Sequence, residues 1–288
     1  MIKRALRKLI FAKKNETIYD AIDRHKSHLE KFFYRKKYSA EDLKSVLIDC
    51  GLQSGDTVLI HCSYRRFYNF TGNPDDIINI IQDIIGRKGT VVMPCYGEDK
   101  YYFDVDNSVS KAGVLSEVFR NREGVIRSKC SHFSVAAWGK YSQELIKDHE
   151  KSIYGFDENS PLYKLYFVKN SKVVFLGMGA NPTKNSILHT AFNFLNEDKK
   201  IEKLISDPYE SVLVSEGIKQ KKTMIKRVSG HPNRKKIFRK ILNLSSPIKK
   251  KISNLDIVVV GARECVDNAV ELGKKGVYCY KNMSKIVR

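Results

Sequence analysis

The sequence predicts an α/β protein, a three-layer α/β/α architecture with a central mostly parallel or mixed sheet. Three observations carry this. Short, continuously apolar β-branched runs recur along the chain, as in Thr57-Val58-Leu59-Ile60 and Thr90-Val91-Val92-Met93. Runs with no polar alternation suit strands buried on both faces. A helical pattern separates those two runs, and strand–helix–strand order favours a parallel pair with a covering helix. Hydrophobic residues make up 42% of the 288 residues, enough for a sizeable core in one large domain, or one domain with a small appendage.

The elements follow in order. Residues 1–36 read as a basic helical N-terminal extension without a strong core face, and residues 37–288 as the α/β domain. Ser39 can cap a helix whose first turn holds Glu41 and Asp42, where the helix dipole favours negative charge. Leu43, Val46 and Leu47 give it an apolar stripe, and Gly51 ends it. Asp56–Ser63 is the first strand. Gly72-Asn73-Pro74-Asp75 leads into a helix over Asp76–Gly86 with six isoleucines, and Gly89–Pro94 is a second strand stopped by proline. Further strands are expected over Ser134–Trp138, Lys172–Leu176, Ser211–Ser215 and Asp256–Val260. Further helices are expected over Lys111–Arg122, Lys140–His149, Ser186–Leu195, Asn233–Leu242 and Cys265–Lys274. Residues 216–254 are strongly basic and weakly patterned, and read as a peripheral insert.

Composition narrows the classes of function. No stretch approaches the roughly 18 apolar residues that span a bilayer. The apolar positions of residues 1–14 are interrupted by charges, so no signal-peptide core is expected. Six cysteines occur without any Cys-x-x-Cys, which argues against a zinc site or redox motif. Reduced thiols fit a cytoplasmic protein. The net charge of +20 concentrates in residues 3–37 and 219–251. No zinc-finger, RNP or basic-zipper pattern accompanies it, so no specific nucleic-acid partner is expected and weak association with anionic surfaces is the most the charge implies.

Six segments in order carry a family resemblance. Gly55-Asp56-Thr57-Val58-Leu59-Ile60-His61-Cys62-Ser63 resembles the "GD-x-hydrophobic-hydrophobic-H-S-S-L" strand of the aminoglycoside 3-N-acetyltransferase family. Gly89-Thr90-Val91-Val92-Met93-Pro94 resembles its "GTLLMP" strand. Gly113-Val114-Leu115, Glu117 and Phe119-Arg120 resemble its "G-x-L-x-E-x-F-R" helix. The stretch Val125 to Gly139 resembles "V-x-R-S-x-H-P-x-x-S-x-A-A-x-G". Ser160-Pro161-Leu162-Tyr163-Lys164-Leu165 resembles "SP-x-x-K-L", and Gly177 with Ser186-Ile187-Leu188-His189 resembles "G … T-x-L-H-x-x-E". The match runs over roughly residues 39–195 and loosely again near Asp256–Gly273.

The resemblance implies an acetyl-coenzyme A-dependent N-acetyltransferase that passes the acetyl group directly to an amine, with no metal. It places the catalytic histidine at His189, with His61 as a second catalytic candidate at a strand end. Imidazoles titrate near neutral pH and suit proton transfer. Ser63, Arg127, Ser128 and Ser134 fall where the coenzyme is expected, Arg127 as a partner for a phosphate. Asp104, in an acidic and aromatic loop, and His132 and Phe192 are expected to meet the acceptor.

Two departures matter. Phe192 stands where the family has a glutamate three residues after the histidine, and Cys130-Ser131 stands where it has His-Pro. His132 could replace that imidazole, and Cys130 raises the alternative of a nucleophilic thiol. The acceptor is therefore read as a small sugar-like amine, an amino sugar or sugar nucleotide such as serves surface-polysaccharide synthesis. An aminoglycoside acceptor and a non-catalytic binding protein on a degenerate fold are the alternatives.

Overall fold

Sorting of side chains by the strand pleat builds the layers. The computed structural model describes residues 31–195, 205–227 and 233–279, with isolated positions before residue 31, so the basic extension expected over 1–36 falls largely outside the described residues. A seven-stranded sheet runs in the order β4-β5-β2-β1-β6-β10-β9. Its strands are β1 (Thr57–Cys62), β2 (Thr90–Pro94), β4 (Ile126–Arg127), β5 (Val135–Gly139), β6 (Ser171–Leu176), β9 (Ile248–Ile252) and β10 (Leu255–Gly261). The central three, β2-β1-β6, are parallel, with Thr57 opposite Thr90 and His61 opposite Phe175. β5 and β4 on one side and β10 and β9 on the other pair antiparallel, so the sheet is mixed.

Alternate residues of each central strand enter different cores. Val58, Ile60, Val91, Met93 and Val174 face a layer built by α1 (Ala40–Asp49), α2 (Pro74–Ile85) and α3 (Val114–Arg120). Leu59, Val92, Val173 and Phe175 face α4 (Ser142–Ile146), α5 (Pro161–Phe167), α6 (Arg234–Leu244) and α7 (Ala262–Lys274). Both α1 and α2 begin with reciprocal capping boxes, Ser39 with Asp42 and Asn73 with Asp76. At the N-terminal end of β1, buried Asp56 accepts from Gln53 N–H at 2.9 Å and from Lys172 Nζ at 2.6 Å. The Gly-Asp motif thus anchors the far end of the sheet from the cleft described below.

A smaller sheet, β3-β7-β8, packs beside the first. It comprises β3 (Tyr102–Asp104), β7 (Ile205–Ser215) and β8 (Ile218–Arg227). The β7–β8 turn is Glu216-Gly217, both at positive φ (53° and 76°), the geometry that a two-residue hairpin demands.

The structure corrects the sequence reading in four places. The strand expected at Ser211–Ser215 belongs to the small sheet. The acidic loop contains β3. Residues 216–254 are not a peripheral insert, because β9 closes one edge of the central sheet by pairing with β10. Its Lys249, Lys250 and Lys251 are exposed, and such charges on an edge discourage intermolecular pairing. The helix expected over Ser186–Leu195 is two short 3-10 turns, Ser186–His189 and Ala191–Leu195. Among the described residues no helix is long and apolar enough to cross a membrane.

Candidate active site

The C-terminal ends of β1 and β2 open on a cleft of about 210 Å³, and such strand ends are where ligands enter parallel sheets. Ile60, His61 and Cys62 supply one wall, Met93, Pro94 and Tyr96 another, and Phe133, Met178 and Phe238 add apolar surface. Ser116 lines it as well, its hydroxyl donating to the Pro94 carbonyl. Gly177 lets the chain turn off β6 at φ +68°, where a Cβ would lie 2.7 Å from Arg66 Cβ. The following loop then crosses the strand ends and delivers the turn Ser186–His189 to the cleft.

His61 and His189 both line this cleft, but in different states. His61 stacks on Phe175 with ring centroids 5.4 Å apart. Its Nε2 lies 3.3 Å from the Ser186 amide nitrogen and 3.1 Å from Ser186 Oγ. A backbone N–H can only donate, so Nε2 is the acceptor and the ring is the neutral Nδ1–H tautomer. Desolvation agrees, pushing the His61 pKa down to about 4. His189 is half-buried at the end of its turn, with Phe156 edge-on at 4.9 Å and Phe238 at 6.4 Å. These rings fix where its imidazole can sit.

The other expected site residues separate from the cleft. Ser63 follows β1, half-buried, and its N–H donates to Leu176 O at 2.9 Å. Arg127 is buried, and its guanidinium donates to the carbonyls of Cys95, Val105 and Ser108 while lying over Phe103 at 4.6 Å. Its fork is committed to the protein backbone, so it is a strut rather than a phosphate ligand in this geometry. Ser128 and Ser134 are fully buried, Ser128 Oγ lying 2.8 Å from His149 Nδ1 and Ser134 Oγ donating to Ser128 O at 2.7 Å. They knit the β4–β5 loop together. Asp104 accepts from the amides of Asp106 and Asn107 at 3.0 and 2.9 Å, closing its own turn, which holds its carboxyl below the usual range. His132 Nδ1 lies 3.0 Å from Tyr209 Oη, tying the β4–β5 loop to the small sheet. Phe192 is in the core against Tyr154 at 5.3 Å and does not line the cleft. Cys130 is buried and its thiol is pushed up to about 11 by desolvation, so it offers no thiolate for nucleophilic attack.

The cleft also holds residues that the sequence reading missed. Asn185 and Ser186 precede His189, and Lys184, Arg234 and Phe238 line the opening. Arg234 and Phe238 come from α6, inside the stretch read as an insert. The apolar spacing Ile237, Phe238, Ile241, Leu242 was the available sign that this helix packs on the body of the protein. Among the described residues no group of three or more His, Cys, Asp or Glu is placed to hold a metal ion.

His149, fully buried, has its pKa pushed down to about 3, first by desolvation. A histidine depressed in the folded state binds its proton more readily when unfolded, so its contribution is complete above about pH 6.5 and is lost as pH falls toward 3. His61 acts in the same direction down to about pH 4. Urea unfolding free energy should therefore drop by about 1.4 kcal/mol per pH unit for each such proton over this window. His149→Gln should flatten the slope below pH 6, and an unchanged slope would show that His149 is solvated.

A family model described as aminoglycoside 3-N-acetyltransferase matches residues 59–273. The SPbeta prophage-derived aminoglycoside N(3')-acetyltransferase-like protein YokD of Bacillus subtilis (strain 168) is 30% identical over 171 residues, which cover 50% of this chain and 61% of that protein. Aminoglycoside N(3)-acetyltransferase VII of Streptomyces paromomycinus is 29% identical over 150 residues, covering 44% of this chain and 51% of the relative. The matched segments thus span between half and three-fifths of these relatives. The solved binary complex of AAC-IIIb with CoASH superposes with a TM-score of 0.70 at 23% identity, over 84% of this chain and 98% of that one, and so shares the fold.

Proposed function

Because the chain belongs to the aminoglycoside 3-N-acetyltransferase family, we propose that it transfers the acetyl group of acetyl-coenzyme A directly to an amine of an amino sugar, with His189 as general base. The observation that carries this is the placement of His189 in a cleft at the ends of the parallel strands, between two aromatic rings.

The chemistry follows from that placement. An ammonium has no lone pair, so the acceptor nitrogen must lose a proton before or as it attacks. His189 takes that proton. The nitrogen then bonds to the thioester carbon, and the carbonyl electrons move to oxygen. The intermediate collapses by expelling the coenzyme thiolate, which can receive the proton from His189. His61 is a poor base at neutral pH, since its Nε2 lone pair already accepts from the Ser186 N–H and desolvation pushes its pKa down to about 4. It is a positioning residue that fixes the turn carrying His189. The walls formed by Met93, Tyr96, Met178 and Phe238 suit the largely apolar pantetheine arm. The reaction draws on a cytoplasmic coenzyme pool.

Coenzyme binding and thiol release test the reading together. Acetyl-coenzyme A at 100 times its Kd should stabilise the fold by about 2.7 kcal/mol, seen as a raised Tm. Mixing it with an amino-sugar panel should release free thiol at a rate above hydrolysis. If neither a Tm shift nor thiol release occurred at millimolar coenzyme, the transferase reading would be wrong.

A further inference from the structure

We infer that the acceptor carries a negative charge close to its reactive amine, as in a phosphorylated or carboxylated amino sugar, and that Lys184 and Arg234 bind this anion. The inference deepens the transferase reading and rests on it. Lys184 and Arg234 line the same cleft as His189, one from the loop before the 3-10 turn and one from the first turn of α6. Both are exposed, and among the described residues neither is in an ion pair. Arg234 lies over the Phe238 ring at 5.9 Å. Among the described residues no carboxylate lines the cleft. Two cations facing one opening repel each other and any polycationic ligand, and an anion between them offsets that repulsion. Guanidinium and ammonium groups are also the usual donors to phosphate and carboxylate oxygens. A neutral amino sugar gains nothing from this pair, and an acceptor bearing several ammonium groups is disfavoured by it.

Acetyl-coenzyme A is itself a polyanion, so the test must separate the two substrates. Thiol release should be measured with glucosamine, glucosamine 6-phosphate and gentamicin as acceptors, for the wild type and for Lys184→Gln/Arg234→Gln. The expected result is that kcat/KM for the phosphate ester exceeds that for glucosamine and gentamicin by roughly ten- to a hundredfold, the range of one or two charge-assisted hydrogen bonds. In the double variant that preference should disappear while KM for acetyl-coenzyme A stays within about threefold. Two outcomes overturn the inference. One is gentamicin or glucosamine turning over as well as the ester. The other is a double variant whose KM rises for the coenzyme alone with the acceptor ranking unchanged, which would give the cations to the coenzyme phosphates. Should no acceptor release thiol, the transferase reading fails, and calorimetry still decides the anion site. Glucosamine 6-phosphate should bind the coenzyme A-loaded wild type at least tenfold more tightly than the double variant. Equal or undetectable binding in both sinks the inference.

Discussion

His189→Ala is expected to lower turnover by about 10²–10⁴-fold, the usual contribution of a positioned general base, with coenzyme Kd within a few-fold of wild type. The imidazole projects from the end of a turn against Phe156 and Phe238, so its removal leaves the strand ends and the apolar walls in place. Steady-state thiol release with parallel coenzyme titration checks both halves. Retained turnover, or a variant that also fails to bind coenzyme, would remove His189 from the role of base. His61→Asn gives the contrasting case. It should reduce kcat less than His189→Ala does, through misplacement of the Ser186–His189 turn.

The second large effect is on stability. Arg127→Ala should destabilise the fold by about 3 kcal/mol or more, since each buried acceptor left without its donor costs about 1–3 kcal/mol. The carbonyls of Cys95, Val105 and Ser108 each accept from this one guanidinium, and truncation strands them. Arg127→Lys should recover only part of the loss, because an ammonium lacks the planar fork that reaches several carbonyls at once. Urea unfolding provides the measurement, read beside KM for acetyl-coenzyme A in the folded protein. A variant of normal stability with a greatly raised coenzyme KM would return Arg127 to the phosphate.

Glu117 illustrates how a motif can be visible and its role hidden. It sits in the helix segment that matches the family pattern, yet its carboxylate accepts from Ser110 N–H at 2.6 Å and from Arg120 Nε at 2.8 Å. Those bonds hold its pKa down at about 2, with the Arg120 hydrogen bond the first cause. The pair fastens the loop above α3 and does no chemistry. Arg127, Ser128, Ser134 and Asp104 behave alike. Each spends its polar atoms on nearby protein groups: Arg127 and Ser134 on buried carbonyls, Ser128 on His149 and the Val135 N–H, and Asp104 on the amides of its own turn.

The sequence by itself determined the central strands, most of the helices that cover them, the capping residue of α1, and the family. These depend on local patterns: runs of β-branched residues, 3.6-residue periodicity, and short polar caps that act within one turn. It also named His61 and His189 as candidates, and both line the same cleft. Only the tertiary structure decided which polar residues are free to meet a ligand. That choice depends on partners far apart in the chain, such as Ser186 bonding to His61 across 125 positions and Arg127 reaching back to Cys95 across 32. It also decided that the lysine-rich β9 is a sheet edge rather than part of an insert, because edge strands lack the apolar runs that mark buried ones. And it brought Arg234 from α6 to the same opening as Lys184, a juxtaposition set by packing of the α6 apolar face that no local pattern encodes.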